Sequence, residues 1–305
     1  MRYQLDKNKS VEKNIQSLAV EQIDRGIAEI NDQSLEVHES IHQVRKRCKK
    51  IRGLIRLVRK AFPDYKEENA FFRDTARKLS DLRDSQSLID IFNKLMQRPG
   101  CQSEQEAMKP VSTFLEERQQ KLMDEADVYK LLQETELTLR EGKRRARAWQ
   151  LEENGFEAIR GGLKKTYKRG RKAMPAAYEE PTTEKFHEWR KRVKYHWYHA
   201  RLITPMWEKV LKAYAAEVHL LADYLGDDHD LSLLSQHINE HEDVLGNDER
   251  QLFNSMLEKW QAELRNSARN LGTRIFNPKP KFIKDEVAAF WPAWKEGNGL
   301  HILNK

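Results

Sequence analysis

Cysteine is nearly absent from the 305-residue chain, with Cys48 and Cys101 standing far apart and without paired spacing. That excludes a disulfide framework or a multi-cysteine zinc site and fits a reducing compartment. No segment approaches the ~18 apolar residues of a membrane span, and the opening MRYQLDKNKSVEKN holds no apolar run that would act as a signal peptide. A soluble, cytoplasmic protein is expected. Period-two runs of β-branched residues are nearly missing, which argues against sheet. Gly161 and Gly162 lack the context of a phosphate-binding loop, and no nucleophile elbow occurs. Acid, finally, is missing from residues 40–60, which hold nine Lys or Arg and no Asp or Glu.

What is present is apolar periodicity of three and four, the mark of amphipathic helices. Hydrophobic residues make up 39% and charged residues 34%, a balance that suits helices with wide wet faces. About twelve helices are expected. Their starts are read at Ser34, at Asp64 with Glu67, at Ser103 with Glu106, at Thr204 before Pro205 and at Asn247. Breaks are read at RPGCQ (98–102), MPAAYEEP (174–181) and NPKPK (277–281), and Pro110 is expected to kink or interrupt a helix.

Charge is segregated. Residues 140–172 carry twelve bases and four acids, and residues 185–201 carry six bases and one acid. With 40–60 these stretches hold a net +22; the whole chain is +7, so the remainder is −15. A cationic surface set in an acidic protein steers anions toward itself.

The sequence also repeats. HQVRKRCKK at 42–50 returns as HEWRKRVKY at 187–195, an offset of 145, and LSDLRDSQSL at 79–88 returns as LGDDHDLSLL at 225–234, aligning Asp81 with Asp227 and Asp84 with Asp230. Two matches nearly in register argue for duplication. The expected fold is all-α: a single domain over 1–305, with repeats of about 10–150 and 155–300 forming helical bundles related by a pseudo-twofold axis. In the first copy His42, Arg45, Lys49, Arg52, Arg56 and Arg59 form a cationic stripe beside an apolar one of Ile41, Val44, Cys48, Ile51, Ile55, Val58 and Phe62. In the second, His187, Arg190, Lys194 and Arg201 flank Phe186, Trp189, Val193, Ala200 and Ile203, with Trp197 where the first copy has Arg52. An ordinary wet face would intersperse Glu. Here Arg45/Lys49, Arg52/Arg56 and Arg56/Lys60 are unrelieved like-charge pairs, each costing ~0.2–0.5 kcal/mol, a cost that an arriving polyanion offsets.

His-x-x-Arg-Lys-x-x-Lys in each half, followed by a Leu-rich helix near Asp84 or Asp230, resembles the conserved histidine α-helical (CHAD) domain over nearly the whole chain. The resemblance implies two helical bundles around a basic central cleft or pore that binds inorganic polyphosphate, with no cofactor and no catalysis. It implicates His42, Arg45, Lys46, Lys49, Arg52 and Arg56, and then His187, Arg190, Lys191, Lys194 and Arg201. GLKKTYKRGRKAM at 162–174, like the family's basic helix, adds Lys165, Lys168, Arg169 and Lys172, with Tyr167 offering a hydroxyl. Arg matches phosphate oxygens as a planar fork and Lys as a mobile point charge. His42 and His187 read equally well as structural.

Three other readings remain open. Nucleic acid suits a basic patch, but Trp149, Tyr167, Tyr195, Trp197 and Tyr198 read as core aromatics at helical spacing rather than a base-stacking surface. A metal-dependent phosphohydrolase is suggested by DDHD at 227–230 and by His196 with His199, against which Arg83, which ligates no metal, stands at the position cognate to His229. A scaffold docking on acidic proteins or polyphosphate granules would use the same surface.

Overall fold

The computed structural model describes residues 3–125 and 127–296, and among them the fold is α-helical with no strand. The order is α1 (Val11–Ile30), α2 (Val37–Leu57), α3 (Tyr65–Arg77), α4 (Ser80–Met96), α5 (Lys109–Glu125), α6 (Val128–Arg147), α7 (Gly155–Glu179), α8 (Thr183–Ile203), α9 (Glu208–Asn239), α10 (Asn247–Phe276) and α11 (Pro280–Glu296). Short 3-10 turns lie at Gln102–Glu104 and Thr204–Met206. The expected ranges 1–305 and 155–300 run past the described residues.

Side-chain caps stand at other positions than those expected. Ser10, Asp127 and Thr182 accept the amides of Lys13, Lys130 and Lys185 at the heads of α1, α6 and α8, filling donors the first helical turn leaves unpaired. Ser34 instead donates to Asp32, and Ser103 bonds Glu104 within a 3-10 turn. Asp64 precedes α3 without a side-chain bond, and Asn247 is already inside α10. Thr204 and Pro205 open a 3-10 turn rather than α9. Pro110 causes no kink, because it sits in the first turn of α5, where its missing donor costs nothing. The break read at 174–181 comes late: α7 runs through Pro175 to Glu179. Its last turn is held by buried Ala177 and by the Tyr178 hydroxyl, which donates to the Arg265 carbonyl at 2.6 Å.

Both apolar stripes are buried, none of their members more than 5% exposed. They do not, however, build two separate cores. One cluster gathers α1, α2, α3 and α6 with Leu163, Leu202 and Val287; a second gathers Tyr167, Phe186, Trp189, Val218 and Phe276 from α7 to α10; a third joins Leu95 and Val111 of the first half to Leu234 and Phe253 of the second. The halves are therefore knitted together by shared apolar surface.

The two basic helices cross where Gly53 of α2 meets Tyr198 of α8, a Cβ built on Gly53 falling 3.0 Å from that of Tyr198. The positions are 145 residues apart, so the contact pairs cognate sites. The buried His199 ring meets the Gly53 carbonyl at 3.1 Å, and the N-terminal segment ties in through Tyr3, whose hydroxyl donates to the Lys50 carbonyl at 2.6 Å. Below this crossing α7 lies so close on α2 that a Cβ on Gly162 would stand 1.8 Å from the Leu57 carbonyl oxygen. Shifted by 145, the starts of α1 and α2 fall within one residue of those of α7 and α8.

Candidate functional site

Above the crossing, α2 and α8 present cognate cations to one another. Lys49 feels Arg45, Arg190, Lys194 and Arg83, and Lys194 feels Arg190 and Lys46. Lys49 is exposed at the surface, and the charged groups acting on it are cations. Desolvation, and then repulsion from those neighbours, pushes its ammonium down to about 7. The direction does not hinge on desolvation, since the cations push the same way. Lys194 is lowered mainly by desolvation, opposed by Asp223 at 3.8 Å.

The histidines are neutral members of the group. His42 Nδ1 accepts from Arg83 Nε at 2.9 Å, which places the ring proton on Nε2. His187 and His229 lie ring against ring, centroids 4.1 Å apart, each with Nδ1 buried and unpartnered. Burial first, and neighbouring cations after it, hold His42 and His187 near 4; burial, then His187, holds His229 near 3. Asp230 lies among Arg190, Arg83 and Lys49, its carboxyl raised by burial against their pull.

Arg45 is largely spent on architecture: it donates to the Ala76 carbonyl at 2.9 Å, where α3 ends, and to Ser80 Oγ at 2.6 Å, with Asp84 at 3.7 Å. The guanidinium thus satisfies the α3–α4 junction, although Nε stays buried without a partner. Lys191 is exposed and pairs with Glu188 at 2.9 Å.

Below the crossing a second group forms. Arg52 and Arg56 share Asn69 Oδ1, and Arg56, 9% exposed, stacks 4.0 Å over Tyr195. Arg59 donates to Thr166 Oγ1 at 2.7 Å; burial lowers it to about 10, with Arg56, Arg169 and Arg192 adding repulsion. Glu188 pairs with Arg192 and lies 3.7 Å from Arg169. On α7, Lys165, Lys168 and Lys172 are exposed, and among the described residues none makes an ion pair. One expectation fails here. Tyr167 faces inward, its hydroxyl donating to the Ile275 and Pro278 carbonyls at 3.1 and 2.9 Å, because α7 turns that face onto the end of α10. Arg201 lies over Tyr3 and Trp197 at 5.5 and 5.0 Å.

Arg83, Arg192, His229 and Asp230 belong to these groups and were not singled out as site residues by sequence. Arg192 was legible in the RKR run. The others lie on α4 and α9, outside any basic stretch, and only helix packing brings them in. The DDHD segment does not converge: Asp227 pairs with Lys94 at 2.9 Å, Asp228 takes Arg265 Nε at 2.6 Å, and His229 faces His187. His196 meets the Tyr214 hydroxyl at 2.6 Å, and His199 meets Gly53. Among the described residues no three His, Cys, Asp or Glu side chains are grouped to hold a metal, and no helix is long and apolar enough to cross a membrane.

None of the curated proteins matches the chain. Among solved structures, the crystal structure of the CHAD domain from the plant Ricinus communis is similar at 16% identity, covering 95% of this chain and 94% of that one with a TM-score of 0.53. That likeness speaks to the fold. The CHAD domain pattern itself matches residues 20–239, which includes both basic helices and both helices that carry Arg83 and His229. By that match, the chain belongs to the CHAD domain family.

Proposed function

We propose that the protein binds inorganic polyphosphate without catalysing its turnover, through the cations that α2 and α8 direct at one another. The observation that carries this reading is the mutual repulsion of Lys49, Arg190 and Lys194 from cognate positions of two helices, with few fixed carboxylate partners. Such an arrangement is costly empty and gains by releasing counter-ions to a chain of phosphates. The exposed lysines of α7 and the Arg56–Arg59–Arg169–Arg192 group extend it, so a long chain meets more charge than a nucleotide does. The pairing of Gly53 with Tyr198 supports a duplication around this crossing, and buried Cys48 and Cys101 suit a cytoplasmic protein, free or on polyphosphate granules.

Nucleic acid is the weaker reading. Trp149, Tyr167 and Tyr198 are buried, and Tyr195 and Trp197 are covered by Arg56 and by Lys194 with Arg201, leaving little aromatic face for bases. Calorimetric titration with long-chain polyphosphate, ATP and single- and double-stranded nucleic acid at two salt concentrations decides the matter. Tight, salt-sensitive binding of polyphosphate alone is expected, lost in a Lys49/Arg190/Lys194 triple alanine variant. Equal or better binding of nucleic acid overturns it.

A further inference from the structure

A cluster of like charges in a folded protein needs an anion, and one of the protein's own carboxylates acts on this cluster. Asp230 lies among Arg190, Arg83 and Lys49 and also acts on Lys194. Its acidic neighbours on α9 have ion-pair partners: Asp223 lies 2.9 Å from His219 and 3.8 Å from Lys194, Asp227 pairs with Lys94 and Asp228 with Arg265. Asp230, in contrast, has no hydrogen bond or ion pair with any described residue. Gly226, one turn earlier on the same face, lies against Arg190, whose Nε would stand at an ordinary contact distance of 3.6 Å from a Cβ there, which puts the Arg190 guanidinium beside this face of α9. Asp84, at the cognate position of the first half, differs on each count: it is 58% exposed and lies 3.7 Å from Arg45.

We propose that Asp230 is the site's internal counter-ion and sets its selectivity, a role that rests on the anion-binding reading above. A ligand seated among Arg83, Arg190 and Lys49 enters the field of the Asp230 carboxylate, which interacts electrostatically with all three. A small anion engages few other cations and bears the whole repulsion. A long, densely charged chain offsets it with contacts along α7 and the lower arginines. The residue therefore filters anions by charge density and length, while steadying the cations when nothing is bound.

Two consequences have opposite signs, which separates this role from a merely structural one. Asp230→Asn is expected to lower the melting temperature of the free protein and, at the same time, to tighten tripolyphosphate about tenfold, the equivalent of ~1.4 kcal/mol. Long-chain polyphosphate gains by a smaller factor, so the preference for length narrows. Asp84→Asn leaves both affinities within about twofold of wild type, and Asp230→Glu, which keeps the charge, behaves as wild type. Calorimetry and thermal melts with tripolyphosphate, long-chain polyphosphate and sulfate read these out; Asp230→Ser serves if Asp230→Asn does not fold. Wild type that ignores long-chain polyphosphate sinks the proposed function. The counter-ion role falls instead if neither neutral variant gains affinity for tripolyphosphate or sulfate, or if binding and stability drop together.

Discussion

Lys49 turns the electrostatics of the site into a proton balance. An ordinary lysine titrates at about 10.4, whereas desolvation and its cationic neighbours hold Lys49 at about 7. Between those values the unfolded chain binds a proton that the free folded protein lacks, so the free protein gains stability as pH rises through that window. A bound polyanion reverses the local field and restores the ammonium. Binding should then take up about one proton at pH 8, and affinity should fall between pH 7 and 10 while changing little, through this residue, just below 7. Titrations in two buffers of different ionisation enthalpy measure the uptake, and Lys49→Gln should abolish most of it; uptake unchanged in that variant would locate the proton elsewhere. Lys49 was readable from sequence as one cation of a stripe. Its altered proton affinity was not, because beyond Arg45 on the same helix it comes first from desolvation in the packed fold and then from Arg190 and Lys194, about 145 residues away, and Arg83 on a third helix. Asp230 was likewise visible only as a repeat position until α9 was seen packed beside Arg190.

At the scale of elements, the stripes were legible because a helix translates spacing directly into faces. Caps and close approaches were not. Whether Ser34 caps α2 or turns back to Asp32 depends on backbone angles that the residue type does not specify, and a glycine in a basic run says nothing of what lies against it. Gly162 is the sharpest instance: any Cβ there meets the Leu57 carbonyl oxygen at 1.8 Å, with the Arg56 carbonyl oxygen at 2.6 Å. Backbone cannot rotate aside as a side chain does, so α7 would have to lift off α2. Gly162→Ala should cost at least ~3 kcal/mol in denaturant titration, the upper range of overpacking. Lifting α7 also moves Thr166 from Arg59, and so weakens polyphosphate as well. Gly226→Ala, whose nearest contact is an ordinary 3.6 Å, should stay within ~1 kcal/mol. If the two variants prove equally stable, the α2–α7 crossing is looser than described.

Over the whole molecule, the fold keeps several imidazoles neutral that would otherwise charge in mild acid. His42, His187, His196 and His237 are held near 4 and His229 near 3, in each case chiefly by burial. Their folded values lie below the unfolded value of about 6.5. The unfolded chain therefore binds more protons in between, and stability present above pH 6.5 is lost as pH falls toward 4. His196, 5% exposed, contributes on the order of 3 kcal/mol of that loss by itself. Long-chain polyphosphate should protect unequally. For His42, His187 and His229, which sit among the cations, a phosphate chain offsets the charge that protonation adds. For His196, enclosed with Tyr214 and Phe276, it supplies nothing. Thermal melts at pH 7 and pH 5, with and without the ligand, should show a lower melting temperature in acid and a ligand-induced rise that is larger at pH 5 than at pH 7. His196→Gln should flatten the acid loss of the free protein while leaving that larger rise in place. A ligand effect independent of pH would mean that the chain of phosphates does not reach the histidines, and would move the binding surface outward to α7.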